Sequence, residues 1–100
     1  MRDYELIFVA RPDITDEDVG TVRLDVKNLV EKHEGSIEKE NLWGKRQLAF
    51  EVKDFTEGTY TMFNIKLPPS AAGLIKEQLR IDERIIRYIL TLRTSKKKLQ

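Results

Sequence analysis

The period of the apolar residues changes four times along these 100 residues, and that order of periods admits few folds. From Tyr4 to Ala10 the chain reads as a strand, apolar on both faces over Leu6–Ala10. That pattern predicts a central strand, covered on one side and at least partly on the other. Arg11-Pro12-Asp13 interrupts it, since the residue before a proline avoids the helical region. Over Asp16–His33 the spacing switches to three and four: Val19, Val22, Val26, Leu29 and Val30 form one helical stripe. Thr15 is the expected N-cap, the acids at 16–18 suit the positive end of the helix dipole, and Gly35 is the expected left-handed stop. Gly20 has no evident reason in the sequence.

Period two then returns. Ile37 to about Lys53 reads as a long strand with a bulge at Trp43-Gly44. Residues 54–58 read as a turn, and Thr59–Leu67 as a strand with Thr61, Phe63, Ile65 and Leu67 on one face and Tyr60, Met62, Asn64 and Lys66 on the other. Pro68-Pro69 ends it. Ser70 is expected to cap a helix over 71–80 that buries Leu74, Ile75 and Leu79, and a tight connection at Asp82-Glu83 leads into a last strand, Ile85–Leu92. The order β-α-β-β-α-β, with right-handed crossovers, predicts an α+β fold of the ferredoxin-like type. Four antiparallel strands carry both helices on one face, with the first and third strands central and the other sheet face uncovered. Length supports a single domain over 1–93, followed by a basic tail at 94–100 that we expect to be mobile.

Several function classes drop out. There is no cysteine, which excludes disulfides, thiolate chemistry and cysteine metal sites. No apolar run approaches a membrane span, and the N-terminus does not read as a signal peptide, so a soluble cytoplasmic protein with no membrane role is expected. His33, the single histidine, has no partner at ligand spacing and suits the end of its helix. No glycine-rich phosphate loop exists. Arg11 sits where acylphosphatase-like phosphate chemistry would place an arginine, but the glycines that would aim backbone N–H groups at a phosphate are missing. We expect no enzyme activity, no cofactor and no metal.

Charge points elsewhere. The net charge is only +1, yet residues 1–79 hold 11 Lys and Arg against 15 Asp and Glu, while residues 80–100 hold 7 against 2. A basic end on an acidic body implies an anionic partner, most often nucleic acid. By parity, Ile86, Tyr88, Leu90 and Leu92 of the last strand face the core, and Ile85, Arg87, Ile89, Thr91 and Arg93 face away. Arg2, at the start of the neighbouring strand, is expected nearby. Arg84 has the wrong parity and frames the strand entrance; Arg80 stays unassigned. Ile7, Val9, Met62 and Ile89 make the same outer face partly apolar. It is either a solvated face with snorkelling arginines or an interaction face for phosphates and a partner. The chain is a poor candidate for an RNA-recognition-motif platform, because Tyr60 and Phe63 are three apart and point to opposite faces. On the second strand, Trp43, Lys45 and Arg46 either protect an edge or dock a partner.

The segments MRDYELIFVARPD, WGKRQLAF (43–50), FNIKLPPS (63–70) and LRIDERIIRYIL (79–90) together resemble the bacterial small-subunit ribosomal protein S six family, in its order and spacing, over residues 2–93. The resemblance implies a structural role: binding the central domain of the small-subunit ribosomal RNA, as a heterodimer with small-subunit protein S eighteen, by a chain that is monomeric when isolated. It implies that Arg2, Tyr4 and Arg87 lie together at the RNA-facing end, and that Trp43, Gly44, Lys45 and Arg46 lie on the strand that meets the protein partner. Arg93 joins the RNA-binding set on charge alone. The family often continues with a second arginine and then Ala-Tyr-Pro; this chain has Gln47 and Ala49-Phe50-Glu51. The alternative is a free-standing regulatory or protein-interaction domain of the same topology.

Overall fold

In the computed structural model, which describes residues 1–93, the strands are β1 (Arg2–Ala10), β2 (Ser36–Val52), β3 (Phe55–Leu67) and β4 (Ile85–Leu92). The helices are α1 (Asp16–Lys32) and α2 (Ala72–Ile81), with a single 3₁₀ turn, Pro69–Ala71, before α2. The sheet order is β2-β3-β1-β4, antiparallel throughout, so β1 and β3 are central as expected. The expected tail at 94–100 lies outside the described residues.

The core forms where the helical stripe of α1 meets the even positions of β1 and the odd positions of β3. Leu6, Phe8, Val22, Val30, Phe63, Ile65 and Leu67 are all fully buried there, with Phe8 and Phe63 packed edge to face at 5.4 Å. Rings in that arrangement place a positive edge against a negative face. Thr15 caps α1, its Oγ1 accepting from the Asp18 N–H at 3.0 Å. Nothing lies closer than 3.9 Å to a Cβ built at Gly20, so packing does not explain that glycine.

Four local expectations need correction. Past α1, the left-handed residue is Glu34 (φ 68°), not Gly35. Its N–H donates to Glu31 O, and the Gly35 N–H donates to Val30 O at 2.9 Å, which closes a Schellman motif one residue earlier than expected. Gly35 is required instead by space: a Cβ there would sit 2.5 Å from Lys66 O and 2.7 Å from Leu67 Cδ2. Ser70 caps nothing, because the chain enters α2 through the 3₁₀ turn, and Leu74 is 54% exposed while Ile75 and Leu79 carry the burial.

The third correction concerns the β2–β3 hairpin. It turns on two residues, Lys53 and Asp54, both at positive φ (50° and 70°), as a type I′ turn needs. β3 therefore begins at Phe55, and Gly58 is a buried strand position where a Cβ would overlap Val9 Cγ1. The fourth is a bulge in β4. Val9 pairs with Arg87 but Ala10 pairs with Ile85, so Ile86 is the extra residue. Ile85 consequently joins the core, and Ile86 turns toward Val9 and Gly58 on the outer face, the reverse of simple parity.

Candidate nucleic-acid and partner interface

The helices cover one side of the sheet, and the other side collects residues by strand pairing. Cross-strand partners point the same way. Ile7 pairs with Met62 and Ile89, and Val9 pairs with Tyr60 and Arg87, which gives the middle of this face an apolar floor. The face is less open than expected: Val9 is 1% exposed, hemmed in by Ile86 and by the Gly58 backbone, and Met62 is also buried. Tyr60 carries Trp43 stacked on it, ring centroids 6.1 Å apart, where the bulge between Leu42 and Gly44 throws the indole over the sheet.

Cations stand at the two ends of this floor. At one end, the Arg93 N–H donates to Asp3 O at 2.8 Å, and the Lys66 ammonium lies 3.3 Å from the Asp3 carboxylate. Arg2 pairs with Leu67 at the same end, but its parity is that of Tyr4, so it projects on the helix side. At the other end, Arg87 pairs with Val9, and its guanidinium lies over the ring of Phe50, 5.5 Å from the centroid. Val9 lies seven strand steps from Arg2, roughly 23 Å at about 3.3 Å per step. The expectation that Arg2, Tyr4 and Arg87 gather at one end is thus corrected: Arg2 and Arg93 share an end, and Arg87 occupies the opposite one. Tyr4 is 9% exposed and belongs to the core cluster, which makes it a support for the Arg2 end rather than a contact surface.

Three of the remaining arginines are already held by a carboxylate, whereas Arg23 of α1 forms no ion pair among the described residues. Arg84 donates from Nε and Nη2 to both Asp82 oxygens (3.0 and 2.7 Å), and Nη2 also reaches Asp25 of α1 at 3.0 Å. The hydrogen bond from Arg84 holds the Asp82 carboxyl below its ordinary range, against the opposing effect of its partial burial. Arg84 therefore ties the α2–β4 connection to α1, a role that the sequence left open. Arg11 is chelated by Asp13 (2.9 Å twice) and lies over Phe55, so the loop after β1 offers no phosphate an unengaged arginine. Arg80 pairs with Glu77 on α2. Arg2, Arg87 and Arg93 form no ion pair among the described residues, nor is there a group of three His, Cys, Asp or Glu that could hold a metal.

On β2, the structure brings together two of the three expected partner-edge residues. Arg46 lies over the Trp43 indole at 5.8 Å and donates from Nε to Trp43 O at 3.4 Å. Lys45 pairs with Thr59 and so has helix-side parity. Tyr60 and Phe50 are contributors that sequence reasoning missed. The signal for Tyr60 was its parity with Met62, but its stacking depends on the bulge. Phe50 sits in a stretch, Leu48–Glu51, that falls between paired positions of the hairpin, so no period described it. No helix among the described residues is long and apolar enough to cross a membrane.

Comparison with known proteins gives this geometry a context. Residues 3–91 match the family model described as Ribosomal protein S6. Small ribosomal subunit protein bS6 of Bartonella bacilliformis is 38% identical over 93 residues, which span 93% of this chain and 68% of that protein. The bS6 of Dictyoglomus turgidum is 33% identical, over 92% of this chain and 95% of its own length. Among solved structures, the 30S ribosomal protein S6 of Thermotoga maritima superposes with a TM-score of 0.88 at 29% identity, covering 92% of this chain and 87% of that one.

Proposed function

Since the chain belongs to the ribosomal protein S6 family, we propose that the helix-free face of its sheet is where it binds the central domain of small-subunit ribosomal RNA, with small-subunit protein S eighteen as its protein partner. Family membership makes it a structural, non-catalytic protein of the small ribosomal subunit. The observation that carries the interface reading is the division of the arginines. Arg11 and Arg84, which have structural work, are held by Asp13, Asp25 and Asp82, and Arg80 pairs only with the exposed Glu77, while among the described residues Arg87 and Arg93 stand at the ends of the outer face and Arg2 at its rim without a carboxylate.

Cations placed this way suit phosphates that lie against a rigid surface, and such contacts orient a protein on RNA without reading sequence. The apolar and aromatic middle, with Trp43, Tyr60 and Ile89, is surface that a protein partner would bury, and Trp43 with Arg46 is the residue pairing found at the centre of such contacts. Catalysis plays no part; the protein acts by neutralising charge and holding geometry where RNA segments meet.

Two measurements test the reading. Tagged protein is expected to sediment with small ribosomal subunits; a protein found only free, or self-associated, would support an unattached interaction domain instead. Arg87→Ala is expected to weaken binding to a transcript of the central domain and to flatten the dependence of log affinity on log salt by roughly 0.7–0.9. Unchanged affinity and slope would remove Arg87 from the interface. On the partner side, Arg46→Glu is expected to impair association with the partner protein more than Lys45→Glu, because only Arg46 shares the face of Trp43.

A further inference from the structure

The turn of the β2–β3 hairpin is exposed, yet it does not stand clear of the sheet. It reaches across the end of the sheet, so that Lys53 lines a cleft of about 270 Å³ together with Arg80 and Arg87. Leu79, Ile85 and Tyr88 line it as well, and among the described residues no carboxylate does. Three cations from three separate elements, a hairpin turn, the last turn of α2 and the first half of β4, thus converge on one concavity with an apolar lining.

We propose that this cleft is a phosphate-binding site, in which Lys53 and Arg80 join Arg87 on a phosphodiester of the bound RNA. The proposal rests on the RNA-binding reading above and deepens it by adding two residues and a concave site at the Arg87 end.

Each cation carries its own argument. Lys53 is held at φ 50°, a conformation that costs a branched-at-Cβ or straight-chain residue more than it costs Asn or Gly. The turn therefore accepts a poorer residue at the position that lines the cleft. Arg80 is engaged by Glu77, which raises its pKa, but the pair is exposed and screened by water. A phosphodiester flanked by Lys53 and Arg87 can therefore compete for that guanidinium. The Arg87 guanidinium lies over the Phe50 ring, and Phe50, 64% exposed, leaves an aromatic surface beside the phosphate position. A base adjoining that phosphate could stack there, as unpaired bases do on exposed rings.

The experiment uses the full chain, the partner protein and a transcript of the ribosomal RNA central domain, with affinity measured across a salt series. Lys53→Asn removes the charge with a residue the turn favours, and Arg80→Gln keeps a polar side chain on α2, so thermal melting should show both variants folded. Each is expected to flatten the log–log salt slope by roughly 0.7–0.9, and the double variant by roughly 1.4–1.8. Parental slopes for both variants, beside a flattened slope for Arg87→Ala, would overturn the cleft and leave the RNA reading intact. Parental slopes for Arg2→Ala, Arg87→Ala and Arg93→Ala would overturn both. Inorganic phosphate supplies the remaining arm: if it shifts the amide resonances of Lys53 and Arg80 while the RNA slopes stay parental, the cleft is a free-anion site and the proposal fails.

Discussion

Glu34 and Gly35 have exchanged the roles that their chemistry would assign. A glycine after a helix ordinarily supplies the left-handed stop, yet here Glu34 takes that conformation and Gly35 is present because Lys66 O and Leu67 Cδ2 leave no room for a Cβ. The sequence showed that the helix stops near Gly35 but not why, since the crowding comes from a strand thirty residues away. The two residues should therefore respond in opposite directions. Glu34→Gly relieves a left-handed non-glycine residue and is expected to stabilise the fold by about 0.5–1 kcal/mol in chemical denaturation. Gly35→Ala forces a Cβ against the Lys66 carbonyl oxygen and the Leu67 side chain and is expected to destabilise the fold by about 1–3 kcal/mol, as overpacking does. Equal effects of the two substitutions would contradict this division.

Among the elements, β4 shows where periodicity stops being informative. Arg87, Ile89 and Thr91 were correctly assigned to the outer face, because alternation holds wherever pairing is regular. Ile85 and Ile86 were inverted, because the bulge opposite Val9 and Ala10 inserts one residue and both candidates are isoleucine, so no polar residue marked the slip. The hairpin turn was similarly hidden: Lys53-Asp54 lacks the Asn-Gly signature of its turn type, and Gly58 drew the reading to the wrong place. The connection into β4 is held by Arg84 bridging Asp82 and Asp25, and this gives the element a pH signature. The folded-state pKa of Asp82 is lowered, so its contribution is fully present above the ordinary carboxylate range, near pH 4, and is lost as pH falls through the lowered value. Asp82→Asn is expected to cost about 1 kcal/mol at neutral pH, the loss of a charge-assisted bond that is partly exposed. The penalty should shrink on acidification, until parent and variant converge at low pH. A constant difference between the two from pH 7 to pH 2 would show that the carboxylate charge is not what Arg84 uses.

For the whole molecule, element order carried the topology while register carried the site. The order β-α-β-β-α-β was enough to place β1 and β3 at the centre and both helices on one face. It could not show that Arg2 and Arg87 lie at opposite ends of neighbouring strands, because that follows from Tyr4 pairing with Leu92 and Val9 with Arg87. The consequence for the proposed function is specific. One compact arginine cluster would address a single phosphate neighbourhood, and its members would be coupled. On that proposal, two ends roughly 20 Å apart, set by six strand steps of about 3.3 Å from Arg87 to Arg93, would address separate RNA segments across the sheet. Substitutions more than about 10 Å apart with no shared partner are additive to within about 0.5 kcal/mol. Arg2→Ala/Arg93→Ala and Arg87→Ala are therefore expected to weaken binding to the central-domain transcript independently, with free-energy losses and salt-slope changes that sum in the triple variant. Within one end, Arg2→Ala and Arg93→Ala can couple through a common RNA segment. A triple variant that loses no more than the Arg87→Ala single would mean that both ends serve one all-or-none contact, and the RNA would then have to wrap the face rather than bridge it.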